Sequence, residues 1–217
     1  KDATYPLLYV TVGKKGDLEE YTCNVESITR KDTTFTSERV QTITLDQSGF
    51  TAKGLQPIWG CPNWLVDKER KNLWAFSAIK RTLASTTGDF STNKYLALKF
   101  RLPALSEGSA ITLTAADVLE EAVFPFDAYA TQGGCIQNGK IYYAFGFANN
   151  TVSPQKIRVY DTDAQKIIGR IELQQYITEE PEDIVISGSK LFLNTNSAKI
   201  YQLTFPTGTL GIHAVKR

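Results

Sequence analysis

Along most of this chain apolar and polar residues alternate with a period of two, the pattern of strands that bury one face. Val40-Gln41-Thr42-Ile43-Thr44-Leu45 shows it clearly, and Ile200-Tyr201-Gln202-Leu203-Thr204-Phe205 repeats it near the C-terminus. The pattern predicts fourteen strands, at 5–12, 20–29, 34–45, 63–67, 73–76, 94–102, 111–113, 134–137, 141–145, 155–161, 166–173, 183–186, 191–193 and 199–205. Helix signals are sparse. Residues 115–122 are expected to make one or two helical turns, because Thr114 can cap and Asp117, Glu120 and Glu121 suit a first turn.

Three hairpins share one phrase. Residues 63–67 turn at Lys68 to Asn72 into Leu73-Trp74-Ala75-Phe76, and residues 134–137 turn at Asn138-Gly139-Lys140 into Ile141-Tyr142-Tyr143. Residues 183–186 turn at 187–190 into Leu191-Phe192-Leu193. Each second strand opens on an aliphatic-aromatic pair, and Leu8-Tyr9-Val10 reads as a fourth such strand without its partner. Trp74, Tyr142 and Phe192 are expected to be equivalent and buried. Hairpins recurring at long intervals mark a repeat architecture. The strands group as three, four, four and three, and four antiparallel strands per unit is the form of a β-propeller blade. The fold expected is an all-β propeller, one domain over 1–217, with about four blades visible as part of a larger or gapped propeller. A two-sheet β-sandwich is the alternative.

Charge excludes one class of partner. With 24 basic against 23 acidic residues the net charge is +1, which gives no electrostatic footprint for nucleic acid. The basic runs Lys14-Lys15 and Lys68 to Lys71 read as solvated turns. No apolar run reaches the roughly 20 residues of a membrane-spanning helix. The chain starts at Lys1 and holds no methionine, so a processed, trimmed or gapped sequence is expected. Cys23, Cys61 and Cys135 are odd in number and lack close spacing, so no zinc site, metal or cofactor is expected. His213 is the single histidine and falls in a tail that reads as frayed, which sets aside Cys-His and Ser-His-Asp chemistry.

Gln132-Gly133-Gly134, Asn138-Gly139-Lys140-Ile141-Tyr142, Ile157-Arg158-Val159-Tyr160-Asp161-Thr162 and Glu180-Pro181-Glu182-Asp183-Ile184 stand in a telling order. That order resembles the closing blades of secreted six- or seven-bladed propellers, most of all the uncharacterised propeller lipoproteins of Bacteroides-type bacteria. The resemblance covers roughly the C-terminal half and implies an extracytoplasmic protein, whether periplasmic, secreted or an outer-membrane lipoprotein. It carries no catalytic residue.

In a propeller the segments leading into the first strands gather on one face. Here they are 56–64, 127–134 and 178–183, which bring forward Trp59, Trp64, Asp127, Tyr129, Gln132, Glu179, Glu180, Glu182 and Asp183. Carboxylates beside aromatics suit a glycan, a small polar ligand or a cation. The ligand-binding set expected is Trp59, Trp64, Gln132, Glu180, Glu182 and Asp183, set against packing for the tryptophans and solvation for the acids. Gln132, Glu180 and Glu182 are expected side by side at the mouth of the channel. Asp161 and Asp163 read as an Asx turn rather than a calcium loop. The function expected is a binding or scaffold module with a glycan or protein partner. The alternative is a carbohydrate-active hydrolase or lyase that uses paired carboxylates.

Overall fold

The computed structural model describes residues 5–13, 21–79, 94–124, 131–204 and 211–214, the last as backbone only. Among the described residues sixteen strands run in order: β1 (Leu8–Val12), β2 (Thr22–Lys31), β3 (Thr34–Leu45), β4 (Asn63–Asp67), β5 (Asn72–Ala78), β6 (Tyr95–Arg101), β7 (Ala110–Leu113) and β8 (Glu120–Phe124). Then follow β9 (Thr131–Gln137), β10 (Lys140–Phe145), β11 (Lys156–Asp161), β12 (Lys166–Glu172), β13 (Pro181–Ser187), β14 (Lys190–Thr195), β15 (Ile200–Thr204) and β16 (Gly211–Ala214). They form four sheets of four strands, the blades of a β-propeller. Contacts divide the chain into two compact units, Lys1–Thr82 with Tyr95–Val123 and Leu83–Lys94 with Phe124–Arg217.

The first unit holds the sheets β1-β2-β3-β7 and β4-β5-β6-β8. Val25, Ile43 and Leu45 of one sheet join Leu73, Leu96 and Leu98 of the other in a common core, each burial contributing about 1.5–3 kcal/mol. Chain order here departs from the regular up-and-down blade. After β6 the chain returns to the first sheet, where β7 pairs parallel with β3 (Ile43 opposite Ile111), and then goes back to add β8 to the second. The return loop is tied down. Gln41 Nε2 donates to the carbonyls of Ala104 (3.1 Å) and Gly108 (2.8 Å), and Arg101 forks onto both oxygens of Glu107 at 2.7 and 2.6 Å.

The second unit is two plain meanders, β9 to β12 and β13 to β16. Asn138 (φ 50°) and Gly139 (φ 71°) make the positive-φ turn that closes β9 onto β10. Ala144, Ile157 and Val159 pack against Ile184, Leu191, Leu193 and Leu203, and the two first strands, β9 and β13, run beside one another.

The repeat holds at the level of register. Asp67 opposite Asn72, Gln137 opposite Lys140 and Ser187 opposite Lys190 close the three hairpins. Two residues on, Trp74, Tyr142 and Phe192 face Leu65, Cys135 and Val185. Burial differs from the expectation. Trp74 is buried, whereas Tyr142 and Phe192 are half-buried; the aliphatic residues ahead of them, Leu73, Ile141 and Leu191, are the ones fully enclosed. Alternation explains Phe192, which points away from the core face of Leu191 and Leu193, whereas Tyr142 shares the face of Ala144 and packs part-buried against that core.

Four further expectations are corrected. Tyr9 lies on a first strand, not a second; Asn24 on β2 holds the position of Trp74, because Val12 opposite Thr22 closes that pair. β1 is thus the first strand of the first blade, and the fourteen predicted strands fall two short of the sixteen found among the described residues because β8 and β16 were missed. His213 stands on β16 opposite Gln202 rather than in a frayed tail. Residues 115–117 make a single turn, with Ala116 N–H donating to Thr114 Oγ1 at 3.2 Å, and 120–124 form β8 instead of helix.

Candidate functional site

The site is built where β9 and β13 run together in the second unit. Glycine makes that approach possible. A β-carbon on Gly133 would overlap Asp183 Oδ1 and sit 2.6 Å from the Glu182 carbonyl oxygen, well inside van der Waals contact. Across this seam Gln132 Nε2 donates to Glu180 Oε1 at 2.7 Å and to the Gly146 carbonyl at 3.0 Å, joining residues 48 apart in sequence. Tyr143 OH donates to the Gln132 carbonyl at 2.9 Å and fixes the strand from behind. Asn196 N–H donates to the Glu180 carbonyl at 3.0 Å, so both ends of the Gln132–Glu180 link rest on anchored backbone.

Glu180, Glu182 and Asp183 follow one another along this seam. Glu182 is held above its ordinary range by burial first and by the charge of Glu180 second. Asp183 is pushed up to about 6 by burial, against which the hydrogen bond from Ile184 N–H to its Oδ1 (2.8 Å) works in part. Asp183 is exposed by surface area while its carboxyl is packed over Gly133, and it is the packing that sets the direction. The Cys135 thiol is raised to about 12, chiefly by burial and also by Asp183, so it is no nucleophile.

Glu179, next door, is spoken for. Lys199 Nζ donates to its Oε1 and Tyr201 OH to its Oε2 at 3.0 Å, and the bond from Lys199 lowers its pKa. Lys199 and Tyr201 carry no signal in the sequence beyond strand alternation, and their grip on the acid run was not foreseen. Among the described residues no three His, Cys, Asp or Glu side chains gather as a metal cage.

The sequence set therefore separates. Gln132, Glu180, Glu182 and Asp183 come together in the second unit. Trp64 is 6% exposed and belongs to the core of the first unit, where it packs. Trp59, also in the first unit, is 46% exposed. Asp127 and Tyr129 lie outside the described residues. Asp161 forms the Asx turn expected, its Oδ1 accepting from Asp163 and Ala164 N–H at 3.0 Å each.

No family model matches the sequence, and no curated protein matches it either. Among solved structures the chain is similar to hydrazine synthase of Kuenenia stuttgartiensis, with TM-score 0.46 and 12% identity over 84% of this chain and 49% of that one. It is also similar to the tricorn protease (TM-score 0.39, 10% identity, 89% of this chain, 22% of that). A third is the WD40 β-propeller domain of Doa1 (TM-score 0.38, 12% identity, 88% of this chain, 61% of that). The chain spans about half the length of the first of these.

Proposed function

We propose that this chain is a binding module that works outside the cytoplasm and takes a small polar ligand, a glycan or a partner's polar group at the β9–β13 notch. One observation carries the reading: the Gln132–Glu180 hydrogen bond, which holds an acid from one blade against an amide from the next. Beside it Glu182 and Asp183 hold their protons more tightly than free carboxylates do. Acids short of hydration gain when a ligand supplies hydroxyl or ammonium donors, and this favours such a ligand over an anion. The resemblance of residues 132–184 to exported propellers supports the location.

Calorimetric titration of the 217-residue chain with spermine, calcium chloride and neutral oligosaccharides tests the reading. At least one ligand is expected to bind at neutral pH and to lose about tenfold in affinity in a Glu180→Gln, Glu182→Gln variant, the order of one charge-assisted contact. Absence of binding by all three, or equal binding by the variant, overturns it.

The hydrolase reading has one observation in its favour, the raised proton affinity of Glu182 beside a second acid, as a general acid requires. Release of reducing sugar from the same oligosaccharides, lost in Glu182→Gln, would support that reading, and no release would reject it.

A further inference from the structure

Trp59 stands apart from the other two tryptophans. Trp64 and Trp74 are buried, whereas Trp59 leaves nearly half its surface in water. Its backbone is nonetheless among the most firmly held in the first unit. Trp59 N–H donates to the Ala78 carbonyl at 2.8 Å, and its carbonyl accepts from Ser77 Oγ at 3.0 Å. On the preceding residue Ile58 N–H donates to Gln47 Oε1 (2.7 Å), Gln47 Nε2 donates back to the Ile58 carbonyl (3.2 Å), and Ile58 bridges to Ile79. Gln56 N–H in turn donates to Glu121 Oε2 at 2.7 Å. Three polar side chains are thus engaged in fixing a segment that buries Ile58 and leaves the Trp59 indole nearly half exposed.

Core packing accounts for Ile58, which is fully buried, but not for the Trp59 ring, which lies outside the core. A large apolar surface held rigid in water costs hydration free energy and recovers it when a partner covers it. We infer that Trp59 is a stacking platform for one pyranose ring of a neutral oligosaccharide. The chemistry selects a sugar over a peptide's apolar side chain. A sugar needs one flat aromatic face for its C–H groups and polar groups beside it for its hydroxyls. The indole N–H, the Gln56 side-chain amide and the second oxygen of Glu121 engage no partner among the described residues and supply those groups. A backbone fixed in advance also lowers the ordering cost of binding.

This inference stands on the first unit alone and does not rest on the β9–β13 notch. With Trp64 and Trp74 enclosed, the emission quenched by acrylamide in the intact chain is that of Trp59. Cellohexaose, laminarihexaose and mannohexaose are titrated against it. At least one is expected to shift the accessible emission to shorter wavelength and to protect it from acrylamide. By calorimetry, Trp59→Ala should lose about tenfold or more in affinity, the usual order for an aromatic anchor, with its melting temperature unchanged. Trp59→Tyr should keep part of the affinity, and Glu180→Gln, Glu182→Gln should keep all of the emission change. Three results overturn the inference: no change with any of the three sugars, undiminished affinity in Trp59→Ala, or loss of the emission change in the notch variant.

Discussion

At Gly133 the chain has room for a hydrogen and nothing larger, since a methyl group there would strike Asp183 Oδ1 and the Glu182 carbonyl oxygen. Gly133→Ala is expected to destabilise the protein by about 1–3 kcal/mol in a denaturant melt, the cost of forcing packed neighbours apart. Adding Asp183→Ala should restore only part of that loss, because the Glu182 backbone oxygen stays in place; complete restoration would show that the strands themselves have room. Asp183 gives the notch a pH signature. Its folded pKa, about 6, lies above the ordinary 3.8, so the folded state binds the proton more tightly than the unfolded one. Its contribution is most favourable below pH 3.8 and is lost as pH rises through about 6. Asp183→Asn should therefore gain about 1 kcal/mol over the wild type at pH 7, after discount for solvent screening, and nothing at pH 3.5. A constant difference between the two proteins across that range would contradict the assignment. That the Gly133 and Asp183 segments meet was legible from the expected blade order, whereas the steric fit at Gly133 was not. The sequence shows two glycines before a strand and an acid run before another, and their meeting depends on blades packing side by side.

Among the elements, hairpins were the easiest to read and crossovers the hardest. Turn chemistry such as Asn138-Gly139 is local, so β9, β10, β13 and β14 were each expected close to their observed place. β7 has no local signature for joining β3, whose paired residues lie 68 positions back, from Thr42–Ala110 to Leu45–Leu113; Ile111-Thr112-Leu113 shows only that a strand is present. Residues 120–124 alternate too weakly to outweigh the capping signal at Thr114. The aliphatic-aromatic phrase misled on burial for a related reason: it marks register, while which member is enclosed depends on the sheet opposite. Leu191→Ala should accordingly cost about 2–5 kcal/mol in a denaturant melt, and Phe192→Ala clearly less; the reverse order would place the core on the other face of β14. Gln41, enclosed and bonded to two loop carbonyls, ties the return loop to β3. Gln41→Leu should speed amide exchange in β7 and β8 together, since both strands follow that loop, and faster exchange in β7 alone would show the two to be independent.

For the whole molecule, repetition made the fold class legible and the site only half so. A hairpin phrase returning three times pointed to blades, and blades implied that segments ahead of first strands meet. That logic joined Gln132 to Glu180 across 48 residues. It also gathered Trp64, which the first unit uses for packing, because exposure of an aromatic is a property of the packed sheets and not of its position in a motif. The account turns on the claim that adjacent blades hold Gln132 and Glu180 in direct contact. A double-mutant cycle with Gln132→Ala and Glu180→Ala, read by denaturant unfolding, tests it most directly. The two substitutions are expected to be non-additive by about 0.5–3 kcal/mol, as for residues that share a hydrogen bond. Additivity within about 0.3 kcal/mol would mean that the side chains do not touch, and the notch would fall with them.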